Sequence, residues 1–203
     1  LLETSARRVA QYVYNGDYGS NKVKFGAYYG GSSKRDIKNV DLKNNRKNTW
    51  GTGLIFNHEI DSIQNVTVAA GFTRQISENA NKTAYYSNAY ALGLAYNFVH
   101  TTYGLDLTHK DTKNKGGAGN KVKNNEVTAV IRQGLNEDWN VYAMYSYKTE
   151  KTLPAGSAYS KSTDRQFLVG TEYYVFKQGS VKVKPFIEWQ ATRTKYENTF
   201  DKD

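Results

Sequence analysis

The chain has no cysteine. That excludes a disulfide framework and any thiolate metal site. Nor does it contain an apolar stretch fit to cross a membrane as a helix: residues 83–105 carry no charge, but Ser, Thr, Asn, Gly and Tyr are spread through them. A secretory leader is missing too, since Leu1-Leu2 is far too short for an apolar core and Arg7-Arg8 follows it rather than precedes it. The expectation is that a leader has been removed or that the chain is a fragment.

The groups that carry chemistry are equally sparse. His58, His100 and His109 show no HxxxH or His-carboxylate spacing, so no metal is expected. Asp106 and His109 are the nearest approach to a catalytic pair, but their odd separation puts them on opposite faces of a strand. The loop GGAGNK lacks the GK[ST] ending of a phosphate-binding loop. These absences lead to the expectation of a chain that is not an enzyme, with no catalytic residues and no cofactor.

What is present is aromatic, basic and alternating. Tyr occurs 17 times and aromatics reach 14 %, yet hydrophobic residues make up only 38 % and mean hydropathy is −0.73. So little apolar material suits a wall one residue thick, apolar on one side and polar on the other, better than a dense globule of this size. The formal charge of +9 is compatible with nucleic acid, lipopolysaccharide or an anion-attracting pore as partner.

Glu126 to Lys148 shows the pattern most clearly. Val127, Ala129 and Ile131 share one face against Glu126, Thr128 and Arg132, and after Asn136-Glu137-Asp138 the alternation restarts with Trp139, Val141, Ala143, Tyr145 and Tyr147. The same period-two reading predicts strands over Arg7 to Tyr14, Lys22 to Gly30, Trp50 to Ile60 and Asn65 to Thr73. It continues through a hairpin turning near His100, then Gln166 to Phe176 and Val181 to Arg193 joined by Lys177-Gln178-Gly179. A short helix competes for Arg7 to Tyr14. About ten strands result, each near the length a tilted strand needs to cross a bilayer.

The connections sort into short turns and long hydrophilic loops in strict alternation, as in transmembrane barrels, whose short turns face the periplasm. Phe98, Trp139 and Phe176 fall beside short turns, while Trp50, Tyr90, Tyr147 and Trp189 fall towards the long loops, as two interfacial girdles. A nucleic-acid platform of basic strands and tyrosines fits this organisation poorly, so none is expected. The predicted fold is an all-β antiparallel transmembrane barrel, with residues 1–203 as one domain cut at both ends. Closing the wall in lipid requires at least twelve strands.

Four segments, RRVAQYVYNGDYGSNKVKFGAYYGG, YALGLAYNFVHTTYGLDLTHKDT, the Glu126 to Lys148 hairpin and FLVGTEYYVFKQGSVKVKPFIEWQATRTKY, resemble in order and cadence the C-terminal part of the general diffusion porins of Gram-negative outer membranes. The resemblance implies a sixteen-stranded barrel with a water-filled lumen, three of which associate, and passive diffusion of ions and small hydrophilic solutes. It also implies that Leu1 to Ser5 end an inward-folded loop and that Arg7, or else Arg8, is a constriction arginine. The family's acidic constriction loop and its terminal aromatic-ended strand are missing. The location implied is the cell outer membrane, crossed many times, with the bilayer and lipopolysaccharide as partners. The other function class is a basic barrel acting as adhesin or receptor through its long loops.

The residues expected to line the pore are Arg7, Arg8, Lys22, Lys24, Arg132, Lys182, Lys184 and Glu126, with Glu172 and Glu188 as counterweights. Arg74 and Arg193 fall on the outward face near the long loops, where phosphates of lipopolysaccharide lie, unless a local bulge turns them inward.

Overall fold

The computed structural model describes residues 9–31, 45–78, 84–114, 121–153, 158–178 and 181–200, and every regular element in it is a strand. Ten strands form one antiparallel sheet in chain order: β1 (Val9–Tyr18), β2 (Asn21–Gly30), β3 (Asn45–Asp61), β4 (Gln64–Glu78), β5 (Ala84–Phe98), β6 (Thr101–Asn114), β7 (Lys121–Gly134), β8 (Trp139–Leu153), β9 (Ala158–Tyr173) and β12 (Phe186–Phe200). Between the last two, β10 (Phe176–Gln178) and β11 (Val181–Val183) pair only with each other. Arg7, Arg8 and Leu1 to Ser5 lie outside the described residues.

The sheet is a single layer with almost no interior. Among the described residues Ala89 is the one hydrophobic side chain that is buried, while Leu54, Leu94, Ile131, Tyr145 and Phe167 are all exposed. A soluble protein does not leave a contiguous apolar face open to water on this scale. Alternation explains the arrangement: β7, for example, sends Val127, Ala129 and Ile131 to one side and Glu126, Thr128 and Arg132 to the other.

The tight turns close by local chemistry. Gly19 takes a positive φ of 70° between β1 and β2, a conformation that costs glycine nothing. At the next turn the Asp61 carboxylate accepts from the Ile63 amide at 2.9 Å and from Gln64 Nε2 at 2.8 Å. Between β7 and β8 the Asn136 side-chain oxygen accepts from the amides of Asp138 and Trp139. The β5–β6 turn is less comfortable, because the β-branched Val99 sits at φ 54°.

Two sequence expectations are corrected here. The strands are longer than the apolar alternation suggested, and β3 to β9 run to 14–17 residues. Segments expected from sequence to be hydrophilic loop, such as Lys121 to Asn125 and Ser160 to Asp164, are paired strand. A hydrogen-bonded ladder needs backbone groups rather than apolar side chains, so it continues past the oily band into water. The loop-length asymmetry is therefore largely an overhang of polar strand.

The last hairpin is the second correction. β9 ends at Tyr173 and β12 begins at Phe186, after Pro185, whose carbonyl accepts from the Tyr173 amide at 3.1 Å. Val181 to Val183 belong to the small ribbon, not to the wall. The shift also moves Trp189: it shares a row with Val169, Ala143, Ile131 and Tyr103, in the half of the sheet nearer the short turns.

Candidate functional site, the polar face of the wall

Following one row of cross-strand partners shows how the two faces are set. The outward row Tyr12, Ala27, Thr52, Phe72, Tyr90, His109, Asn125, Thr149, Thr163, Lys195 is mostly apolar from β1 to β5 and polar from β6 onward. A lower row, Asn21, His58, Val66, Tyr96, Tyr103, Ile131, Ala143, Val169, Trp189, is polar at β2 and β3 and apolar from β4 onward. The apolar band thus crosses the hydrogen-bonded rows obliquely. Strands that are tilted through a planar apolar layer produce this geometry, and strand tilt is what closing a barrel demands.

The opposite face is a polar lining. Near the short turns its side chains bond to one another along the sheet: Asn57 donates to Thr67 at 2.8 Å, Asn97 to Asn65 at 2.8 Å, and Thr102 to the Asn97 side-chain oxygen at 2.7 Å. Arg132, the cross-strand partner of Thr102, belongs to a charged cluster on the same face. Glu172 accepts from Arg132 and, at 2.5 Å, from Lys184 Nζ, while the Tyr142 hydroxyl donates to Glu188 at 2.6 Å. Gly170 makes the last contact possible, because the Tyr142 ring lies across it and an added Cβ would meet that ring at 2.5 Å.

Farther from that end the wall has low relief. Gly26, Gly53, Gly71, Ala91 and Gly93 help to line a hollow of about 730 Å³ bounded by Lys24 on one side and Asp106 and Glu126 on the other. Glu126 accepts from Ser146 at 3.1 Å and has Lys148 as its cross-strand partner.

The sequence-selected residues divide accordingly. Lys22 pairs with Glu59 at 2.6 Å beside the first turn, and Lys24 lines the hollow. Arg132, Glu126, Glu172 and Glu188 lie on the polar face by their strand positions, and Lys184 reaches it through Glu172. Lys182 does not: it pairs with Lys177 in the ribbon, off the wall, because the chain leaves the sheet before Pro185. Tyr142, Asp106, Lys148 and Asp164 are not among the residues expected to line a pore, though alternation alone places them on this face. Carboxylates are at least as frequent as cations on the polar face of the described strands, so that face does not carry the surplus behind the overall charge of +9.

The histidines occupy peripheral positions. His58 Nδ1 lies 2.9 Å from the Asn21 side-chain oxygen, His109 Nδ1 lies 2.6 Å from that of Asn125, and His100 stands in the β5–β6 turn.

Fold and lining together define the wall of an outer-membrane type of β-barrel. A solved structure of "OmpTdeltaL8 (loop L8 deletion mutant of OmpT), an outer membrane protein of Vibrio cholerae" matches 94 % of this chain with a TM-score of 0.58 at 15 % sequence identity. This chain spans 59 % of that structure. No protein-family model matches the sequence, and no curated protein matches it. The likeness is one of fold, and it corrects one expectation: absence of enzymatic activity does not follow for a chain whose match is an outer membrane protein at 15 % identity, since one fold hosts unrelated functions.

Proposed function

We propose that this chain forms part of a general diffusion porin, a trimeric water-filled channel in the Gram-negative outer membrane that passes ions and small hydrophilic solutes. The observation that carries the reading is the oblique apolar band backed by a hydrogen-bonded polar lining. A sheet with one side in hydrocarbon and the other satisfied by its own side chains and water has the design of a channel wall. The proposal includes closure into sixteen strands and the role of Lys24, Glu126 and Arg132 as fixed charges along the solute path. The full-length protein in a planar bilayer is expected to give large, steady, ohmic steps. A bilayer that stays insulating while the protein is demonstrably inserted overturns the channel reading and leaves the receptor class.

A further inference from the structure

The hollow in the polar face is unusual for a surface that meets water. Val13 and Ile55 help to line it and are 51 % and 44 % exposed, so bare aliphatic carbon stands on a face that is otherwise mostly small or polar. Gly26, Gly53 and Gly71 keep the floor between them low, which gives the hollow its volume of about 730 Å³.

Its two ends carry opposite charge. Lys24, Ile55, Ala69, Gly93 and Asp106 are successive cross-strand partners in one row from β2 to β6, so an ammonium and a carboxylate flank a span of small and aliphatic residues. The Asp106 carboxylate leans over Gly93 towards the middle of that row, where an added Cβ would meet it at 2.8 Å. Glu126 lines the same end. Among the described residues neither Lys24 nor Asp106 has an ion-pair partner. Four interstrand steps separate their Cα atoms by roughly 19 Å, and the reach of the two side chains leaves a gap of roughly 10 Å.

We propose that the hollow is a saturable subsite for a zwitterionic peptide about three residues long, its terminal carboxylate on Lys24, its terminal ammonium between Asp106 and Glu126, and an apolar side chain over Ile55 and Val13. An extended chain advances about 3.3–3.6 Å per residue, so three residues hold the terminal charges about 10 Å apart. A free amino acid carries both charges on one carbon and does not span the row. A neutral sugar leaves both ends unused, and a simple ion uses only one. Charge-assisted contacts at the ends orient the peptide, and cover of the exposed aliphatic carbon adds to its affinity. The inference deepens the channel reading, in which Lys24 and Glu126 act on any passing ion, by giving the wall one class of solute that it holds. It rests on that reading in requiring the polar face to meet water.

The test uses the full-length protein in mild detergent, with the tripeptide Ala-Leu-Ala as probe and binding followed by ligand-observed NMR titration. Saturable binding with a Kd of about 1 mM is expected, and about tenfold weaker binding for the same peptide acetylated and amidated at its ends, and for leucine alone. Lys24→Asp is expected to lose the binding. The exchange Lys24→Asp/Asp106→Lys is expected to recover it with the peptide reversed, a rescue that a merely structural role for either residue does not produce. Gly71→Val raises the floor at a position where an added Cβ meets only the Thr52 carbonyl, at 3.8 Å, and is expected to weaken binding. Lys182→Ala, off the wall, is expected to bind as wild type. Capped peptide or leucine binding as tightly as Ala-Leu-Ala overturns the proposal, as does a folded exchange variant that stays inert. Planar-bilayer recording separates the two readings. Conduction without saturable binding overturns this site and leaves the channel reading intact. An insulating bilayer together with saturable, exchange-sensitive binding in detergent overturns the channel and keeps the site.

Discussion

Gly170 matters for what it leaves open. The Tyr142 side chain crosses the wall over it to reach Glu188, so any side chain at position 170 displaces the ring. Gly170→Ala is expected to cost about 1–3 kcal/mol through overpacking, read as a lower urea midpoint for the barrel refolded in lipid. Glu172 matters for what it neutralises: its side chain is 11 % exposed and holds both Arg132 and Lys184. Glu172→Gln leaves two cations on the polar face with a neutral partner. The reversal potential in a salt gradient is expected to move towards anions, and no change would show that these charges lie off the ion path. Such pairings escape sequence reading, since Arg132 and Glu172 are 40 positions apart and meet only because β7, β8 and β9 stand in register.

Among elements, the strands were legible and their ends were not. Alternation located all ten wall strands because each has one lipid-facing row, as Val127, Ala129 and Ile131 show in β7. It stopped short wherever that row turned polar, at Asn125 or Thr149, although backbone pairing continues there. It failed in the last hairpin for the opposite reason. Val181 and Val183 extend an apolar alternation into a ribbon, and only Pro185 marks the true start of β12. The ribbon separates two lysines that the sequence treats alike. Lys184→Ala removes a partner of Glu172 and is expected to shift ion selectivity towards cations, whereas Lys182→Ala is expected to leave it unchanged. Equal effects in bilayer recordings would mean that the ribbon folds back into the lumen.

For the whole molecule, the obliquity of the apolar band makes a demand that a soluble sheet does not. Phe72 and Thr149 share one outward row, yet the first lies inside the band and the second beyond it. Phe72→Lys is expected to destabilise the refolded barrel by about 2 kcal/mol more than Thr149→Lys, following the depth dependence of charge on a lipid-facing surface. Comparable costs at the two positions would place both at one depth and remove the tilt. The distribution of charge is also a property of the whole: the outward cations at Lys161, Arg165, Arg193 and Lys195 contribute to the +9 that composition alone assigned to a pore or an anionic surface without deciding between them.

The small ribbon has a practical consequence. β10 and β11 hydrogen-bond to each other and are moored at the base, where Lys177 grips Asp138 at 2.6 Å and the Tyr174 amide donates to the Asp138 carbonyl at 2.9 Å. A protease site or fluorophore spliced into its tip leaves the wall's ladder untouched. Whether such a tag is reached from the cell exterior or only after the envelope is breached reports directly which way the molecule sits.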